Sequence, residues 1–236
     1  MRRLLQTNKK PRQIPRLQVA LDFEILEDAL AISKEVAPFV DILEAGTPLI
    51  KSEGMQTIRA LKDAHPDKLI CADLKTADAG YLEVSMAAKA KADIVTILAD
   101  AYDITIEEAL RASHEFHVEI IADLIVSRSP SKRLIELINL NYNGTRIHYA
   151  LVHSGLDVQA SRRAPLIELE SLTHIQNHPR LAVAGGIRDT DISRLLAFPL
   201  DIIIVGGAIT RAKNPGIAAE KFQKSILRLK TFSRQL

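Results

Sequence analysis

The 236-residue chain has no tryptophan, only one cysteine (Cys71), and few aromatic residues, at 4% of the total. A single cysteine excludes an internal disulfide and is typical of a reducing compartment, so we expect a cytoplasmic protein. With so few rings, isoleucine, leucine, valine and alanine must fill the core, as in buried parallel strands covered by helices. No apolar run is long enough to cross a membrane, so we expect no membrane partner.

The sequence also lacks an excess of charge of one sign, because 29 acidic residues nearly balance 31 basic ones. This balance does not indicate a nucleic-acid-binding surface, and we expect no nucleic acid as a partner. The exception is the segment 1–16, which carries six Lys or Arg residues and no acid. We interpret it as a solvated basic arm before a catalytic domain at 17–236, with subunit contact or attraction of anionic ligands as the alternatives.

Short apolar runs alternate with helical patterns throughout residues 17–236. The runs are continuous, as expected for strands covered on both faces, and the segments between them show apolar residues at three-to-four spacing. The pattern occurs eight times without a linker that could separate domains. Eight strand–helix units in one domain of this length predict a single closed (β/α)₈ TIM barrel, with an open doubly wound sheet as the alternative.

Polar residues stand where several of the predicted strands end, which is where such barrels place their functional groups. They are Asp22 on strand one, Glu44 on strand two, Asp73 with Lys75 and Asp78 on strand three, and His153 on strand six. A lone aspartate at a strand end is more often a helix cap or a turn residue. Several acids around one lysine, however, would repel one another without a cation and a ligand, so together they predict a functional site.

Glu44 and Asp73 lie on adjacent predicted strands, and their carboxylates are the hard oxygen ligands that Mg²⁺ or Mn²⁺ prefers. A site for a transition metal bound through histidine is less well supported, because the sequence contains no HxxxH or HxH pair. Cys71 shares a strand face with Asp73, but we interpret it as a core residue because no partner histidine is evident. The sequence therefore predicts a magnesium-type site with two protein ligands.

Two glycine pairs end the last two predicted strands: Gly185–Gly186 on strand seven and Gly206–Gly207 on strand eight. A glycine pair lets the backbone approach a phosphate closely, and the next helix can offer free N–H groups. Barrels of this kind commonly bind phosphate at these two strands. Structural glycines in turns would look the same, but two pairs at these positions favour a phosphate site.

The run DLKTADAG at 73–80, with its D-x-K-x-x-D pattern, resembles the orotidine-5′-phosphate decarboxylase superfamily. Within that superfamily the chain is similar to the 3-hexulose-6-phosphate synthases over almost the whole predicted barrel. The similar segments follow in the family's order: LQVALD, EAGTPLIKSEG, ADLKTADAG, ADIVTILAD, VHSGLDVQA, AVAGGI and DIIIVGGAIT.

This resemblance implies the condensation of formaldehyde with D-ribulose 5-phosphate to D-arabino-3-hexulose 6-phosphate, a reversible reaction. It implies an enediolate stabilised by the metal and by Lys75, with His153 transferring the proton. Asp22 and Asp78 would orient Lys75 and keep it charged, and the glycine pairs would hold the 5-phosphate. The resemblance also implies a homodimer with shared active sites, in which Asp78 serves Lys75 of the partner subunit.

Two alternatives to the synthase remain. The related 3-keto-L-gulonate-6-phosphate decarboxylases typically carry an arginine three residues after the strand-six histidine and another after the first glycine of strand eight. This chain has Leu156 and Gly207 there, and both departures favour the synthase. The second alternative is a catalytically silent phosphate-binding scaffold, since a fold does not guarantee activity. The complete acid–lysine set argues against it.

Overall fold

A computed structural model describes residues 14–158 and 166–228. Its eight parallel strands close into a barrel in chain order, and the first strand is also hydrogen bonded to the eighth. The strands are β1 (Arg16–Leu21), β2 (Ile42–Ala45), β3 (Leu69–Thr76), β4 (Ile94–Leu98), β5 (Glu119–Asp123), β6 (Tyr149–His153), β7 (Arg180–Ala184) and β8 (Leu200–Val205). The predicted TIM barrel is therefore confirmed.

Helices connect the strands around the outside of the barrel. They are α1 (Leu26–Val36), α2 (Thr47–Glu53), α3 (Gln56–Ala64), α4 (Gly80–Lys89), α5 (Asp103–Phe116), α6 (Pro130–Asn139), α7 (Leu166–Thr173), α8 (Ile192–Leu195), α9 (Gly207–Thr210) and α10 (Pro215–Leu227). The sequence pattern predicts one helix after the second strand, but the structure has two, α2 and α3. Pro48 stands in the first turn of α2 and Gly54 ends it with a positive φ of 74°, so these two residues set the bounds of the extra helix.

The core has two layers because successive strand residues point to opposite faces of the sheet. Side chains such as Val19, Leu43 and Val95 pack between the strands and the helices. Their neighbours Ala20, Ile42 and Ile94, with Cys71, belong to a second buried cluster that fills the barrel interior. Cys71 is fully buried, as predicted for a core residue, and burial raises the pKa of its thiol well above the ordinary value.

A network of charged and aromatic side chains closes the end of the barrel where the strands begin. Tyr149 donates a hydrogen bond of 2.9 Å to Glu119, and Arg180 forms an ion pair with the same carboxylate. The guanidinium of Arg180 stacks 4.0 Å from the centre of the Tyr149 ring, and Arg16 donates to the Tyr149 hydroxyl. Burial raises the pKa of Tyr149 to about 12.

The predicted basic arm lies mostly outside the described residues, which begin at residue 14, and β1 begins at Arg16, the last residue assigned to the arm. Within the described ranges, no helix combines the length and the apolar character that a membrane span requires.

Candidate active site

A cavity of about 1020 Å³ opens at the end of the barrel where the strands finish. Every site residue predicted from the sequence lines it except Asp78; the lining residues among them are Asp22, Glu44, Asp73, Lys75, His153, Gly185, Gly186, Gly206 and Gly207. Carboxylates and Lys75 occupy one side, and the glycine pairs occupy the other. The predicted site is thus assembled from six strands at one end of the barrel.

Glu44 and Asp73 are both buried, and of the two only Asp73 forms an ion pair within the described residues, with Lys75. Gln18, from the barrel interior, donates its amide to Glu44, and Thr47 donates its hydroxyl to Asp73 at 2.8 Å. Burial raises the pKa of Glu44 well above its usual value, and the nearby negative charges of Asp73 and Asp22 raise it further. The acidic side of the cavity, with Asp22, Glu44 and Asp73 around the single cation of Lys75, therefore carries an excess of negative charge.

Asp22 directly follows β1 and stands at the rim of the cavity, between the carboxylates and the last strand. A Cβ added to Gly206 would lie 3.6 Å from Asp22 Oδ2, so the carboxylate is next to the strand-eight glycines. Partial loss of water around the carboxylate raises the pKa of Asp22, and the negative charge of Asp73 raises it further. The positive charges of Lys75, His153 and Arg211 oppose this shift. Among the described residues, Asp22 forms no direct ion pair with Lys75, so it acts on that lysine only through space.

Lys75 lies at the centre of the acidic side. Its ammonium forms an ion pair with Asp73 and lies 3.8 Å from Asp123 Oδ2. Burial alone would lower the pKa of Lys75, but the carboxylates of Asp73 and Asp123 outweigh burial and raise the pKa above normal. The residue has a left-handed φ of 49°, in the stretch where the register between β3 and β4 shifts. Such backbone strain away from glycine is typical of functional sites.

Asp123 is a site residue that the sequence interpretation missed. It ends β5, is fully buried, and lies 2.9 Å from Nδ1 of His153 through one carboxylate oxygen. Its other oxygen accepts the backbone N–H of Ile125 at 2.9 Å. A carboxylate can only accept, so this contact assigns the proton of neutral His153 to Nδ1 and leaves the Nε2 lone pair free. The sequence does contain a signal for Asp123, because an aspartate that ends an apolar run stands at a predicted strand end.

Asp78 is exposed in the turn between β3 and α4, outside the cavity. Within the described part of the chain it forms no hydrogen bond or ion pair, and Lys75 contacts Asp73 and Asp123 instead. The turn is fixed by Ala79, with φ 53°, and by Gly80, where an added Cβ would lie 2.9 Å from the backbone nitrogen of Ala109 on α5. The fold of one chain therefore does not bring Asp78 to its own Lys75.

The glycine side of the cavity is built by β7 and β8. Gly185 and Gly186 have φ values of 101° and 64°, and a Cβ added to Gly185 would lie 2.8 Å from the backbone nitrogen of Ser154. A side chain is therefore excluded at Gly185 by conformation and by space. Three arginines that the sequence interpretation did not assign also line this side: Arg188, Arg194 and Arg211.

The donor set of the acidic side fits a hard divalent cation. Glu44 and Asp73 come from neighbouring strands and donate oxygen, and burial and nearby carboxylates raise the pKa of Glu44, which are the properties of a Mg²⁺ or Mn²⁺ site. Among the residues that the structure describes, no group of three or more His, Cys, Asp or Glu side chains is arranged to hold a metal ion. An ion bound by Glu44 and Asp73 would therefore take the rest of its ligands from water or substrate.

Comparison with known proteins connects this site to one family. A family model described as "Orotidine 5'-phosphate decarboxylase / HUMPS family" matches residues 15–222. A 3-hexulose-6-phosphate synthase of Mycobacterium gastri is 38% identical over 213 residues, which cover 89% of this chain and 99% of the relative. The crystal structure of a 3-hexulose-6-phosphate synthase from Salmonella typhimurium has a TM-score of 0.85 at 34% identity, covering 90% of this chain and 99% of that one. A 3-keto-L-gulonate-6-phosphate decarboxylase from Vibrio cholerae has a TM-score of 0.76 at 28% identity, covering 92% and 99%.

Proposed function

Because the chain belongs to the orotidine 5′-phosphate decarboxylase/HUMPS family, we propose that it condenses formaldehyde with D-ribulose 5-phosphate to give D-arabino-3-hexulose 6-phosphate, reversibly. The observation that carries the proposal is the acidic cluster around Lys75, which shares one cavity with the two glycine pairs. This arrangement suits a sugar phosphate whose reactive end becomes negatively charged. The similarity to the synthases of M. gastri and S. typhimurium supports the choice of reaction.

His153 is the group that moves the proton in this proposal. With Nδ1–H donated to the buried Asp123, the free Nε2 lone pair can accept the proton from C1 of the ketose and later give it to the oxygen of the added formaldehyde, once C1 has bonded to the formaldehyde carbon. Asp123 fixes the ring orientation and stabilises the imidazolium that forms, so it acts as a positioning residue.

Lys75 supplies a fixed positive charge next to the oxygens that become negative when the C1 proton leaves. Its raised pKa keeps it protonated, and a charge held in place before the reaction stabilises the transition state more than mobile water does. Glu44 and Asp73 would hold Mg²⁺ or Mn²⁺, and such an ion, when bound, acts as a Lewis acid toward the substrate oxygens. The ion would also neutralise the excess negative charge of the acidic side.

The assembly that we propose is a homodimer with shared sites. Asp78 is exposed, lacks a partner in the described chain and follows Lys75 by three residues, so Lys75 of the partner subunit is a suitable counterpart. The two glycine pairs would hold the 5-phosphate at the other side of the cavity.

One assay tests the reaction most directly: consumption of formaldehyde with D-ribulose 5-phosphate, before and after exhaustive chelation. We expect activity that EDTA abolishes and that Mg²⁺ or Mn²⁺ restores. Decarboxylation of 3-keto-L-gulonate 6-phosphate is measured on the same preparation, and we expect it to be minor, because Leu156 and Gly207 leave the cavity without the two arginines expected of a decarboxylase. A larger specificity constant for decarboxylation would reverse the assignment. Full activity after chelation would exclude a role for a metal ion in the reaction.

The shared site is tested by mixing two inactive homodimers, Lys75→Ala and Asp78→Asn. In a mixed dimer with shared sites, one site carries both defects and the other carries neither. Half of the dimers are mixed after subunit exchange, so about a quarter of the wild-type activity should return by symmetry. With exchange confirmed by a tagged subunit, no recovery would show that each Asp78 serves its own chain.

A further inference from the structure

Gly207 and Arg211 form a pair in which the absence of one side chain makes room for the other. The guanidinium of Arg211 occupies the space into which a Cβ at position 207 would point: its Nε would lie 2.6 Å from that Cβ and its Cζ 2.7 Å. The two residues are one helical turn apart, and the Arg211 N–H donates to the Gly207 carbonyl at 3.2 Å. Arg211 is therefore folded back over the start of α9, toward the cavity that both residues line.

Within residues 14–158 and 166–228, no side chain pairs with the guanidinium of Arg211 to explain this position. Among the described residues it makes neither a hydrogen bond nor an ion pair, although Asp22 lies close to the neighbouring Gly206. An arginine in a solvated setting usually extends into water because side-chain entropy favours it. Here the side chain is exposed to solvent but lies against backbone that carries no side chain, and its N–H donors at the cavity wall are unpaired within the described residues.

The chemistry of the neighbours indicates which ligand would use those donors. A guanidinium presents a planar fork of N–H groups that matches the oxygens of a phosphate, and the glycine backbone of Gly206–Gly207 allows a close approach from the same side. Asp22 next to Gly206 would repel a phosphate placed there, and the charge of Arg211, which also acts on Asp22, counters that repulsion. A dianionic phosphate therefore fits beside the guanidinium, where the backbone of Gly206–Gly207 also lines the cavity.

We propose that Arg211 binds the phosphate of the substrate, and that Gly207 holds this arrangement open by leaving the guanidinium room to lie over the end of β8. This inference rests on the proposed function for the identity of the sugar phosphate, but its geometry concerns phosphate alone. It makes Arg211 a binding residue that acts far from the reacting carbon. Its loss should therefore raise the KM for D-ribulose 5-phosphate much more than it lowers kcat.

A double-mutant cycle tests the pairing. Arg211→Met keeps an unbranched apolar stem and removes the charged guanidinium, and we expect a rise in KM of about 10- to 100-fold, the effect of losing charged hydrogen bonds. Gly207→Ala should produce a similar rise with Arg211 still present, because the added methyl displaces the guanidinium. The double variant should be no worse than either single variant, since both remove the same contact. Lys213→Met, at an exposed lysine outside the cavity, is the matched control and should leave KM unchanged.

Binding of inorganic phosphate, measured by calorimetry, separates this inference from the proposed reaction. Wild-type protein and Lys213→Met should bind phosphate saturably, and Arg211→Met and Gly207→Ala should bind it at least about tenfold more weakly, with unchanged circular dichroism and melting curves that report intact folding. This result would stand even if formaldehyde were not consumed. Equal phosphate affinity in Arg211→Met and wild type would overturn the inference, as would a wild type that binds no phosphate or additive effects in the cycle.

Discussion

The two ends of the barrel shift the pKa of a glutamate in opposite directions. At the end where the strands begin, burial alone would raise the pKa of Glu119, but hydrogen bonds from Arg180 and Tyr149 outweigh it and lower the pKa. At the end where the strands finish, burial and the charges of Asp73 and Asp22 raise the pKa of Glu44. Both glutamates belong to strands of the same barrel, so the difference comes from their neighbours.

The contrast shows which charges stabilise the fold and which are held ready for a ligand. Glu119 is neutralised by Arg180 within the chain, and its network with Tyr149 closes the barrel without a bound ligand. Among the described residues, Glu44 accepts a side-chain hydrogen bond from Gln18 and is attracted by the charge of Lys75, but burial and the nearby carboxylates outweigh both, so its charge disfavours the folded state until a cation is bound. Uncompensated charge that persists in a folded protein is typical of functional sites.

Among the changes that would test this contrast, we expect the largest effect, a loss of kcat, from removing Lys75. Lys75→Ala removes the positive charge between Asp73 and Asp123, and we expect kcat for formaldehyde addition to fall by about 10²- to 10³-fold or more. Lys62→Ala is the control, because Lys62 also pairs with an aspartate, at 2.9 Å, but outside the cavity. It should lower stability slightly and leave kcat near the wild-type value. Similar losses of kcat in both variants would mean that Lys75 acts only through folding.

The next effect concerns Asp123, which reaches the chemistry only through His153. Asp123→Asn keeps the size of the side chain, but its amide no longer fixes the proton of His153 on Nδ1. We expect kcat to fall by about 10²-fold with little change in KM, and Asp123→Glu to restore part of the activity. Asp93→Asn, at the aspartate that pairs with Lys62, should affect stability alone. A parallel change of KM and kcat, without rescue by glutamate, would indicate a structural role.

The smallest effect is on stability, and it should have opposite signs at the two ends. In metal-free protein at about pH 8.5, Glu44→Gln should raise the free energy of unfolding by about 0.5–2 kcal/mol, because it removes a buried, repelled charge. Glu119→Gln should lower it by about 1 kcal/mol, because it breaks a charged hydrogen-bond network. Urea unfolding of both variants and of the wild type measures the two changes.

The pH dependence of those changes follows from the two pKa directions. The raised pKa of Glu44 means that its unfavourable contribution is present above that pKa and disappears as the pH falls through it, so the gain from Glu44→Gln should shrink toward about pH 5. The lowered pKa of Glu119 means that its stabilisation is present above the unfolded-state pKa and is lost as the pH falls through the folded-state value. The same sign for both substitutions at high pH would contradict the contrast between the two ends.

The sequence predicts the barrel well because each strand is buried on both faces and therefore appears as a continuous apolar run. This local pattern occurs eight times. It predicts Glu44, Asp73 and His153 for a related reason, since the strand ends meet at one end of any such barrel. Asp123 was missed because an aspartate after an apolar run is equally common in turns, and only the 2.9 Å contact with His153 separates the two cases. The pattern also does not reveal that Arg211 folds back over Gly207, because that contact depends on a side-chain conformation.

The position of Asp22 between Gly46 and Gly206 has a consequence for how long the protein survives when a ligand is present. Asp22 follows the first strand and Gly206 follows the last, and β1 and β8 meet along one seam. A sugar phosphate bound to both sides of the cavity would join the two ends of the chain across that seam. We therefore expect the ligand to slow the separation of β1 from β8, and with it cleavage by proteases that attack partly opened barrels.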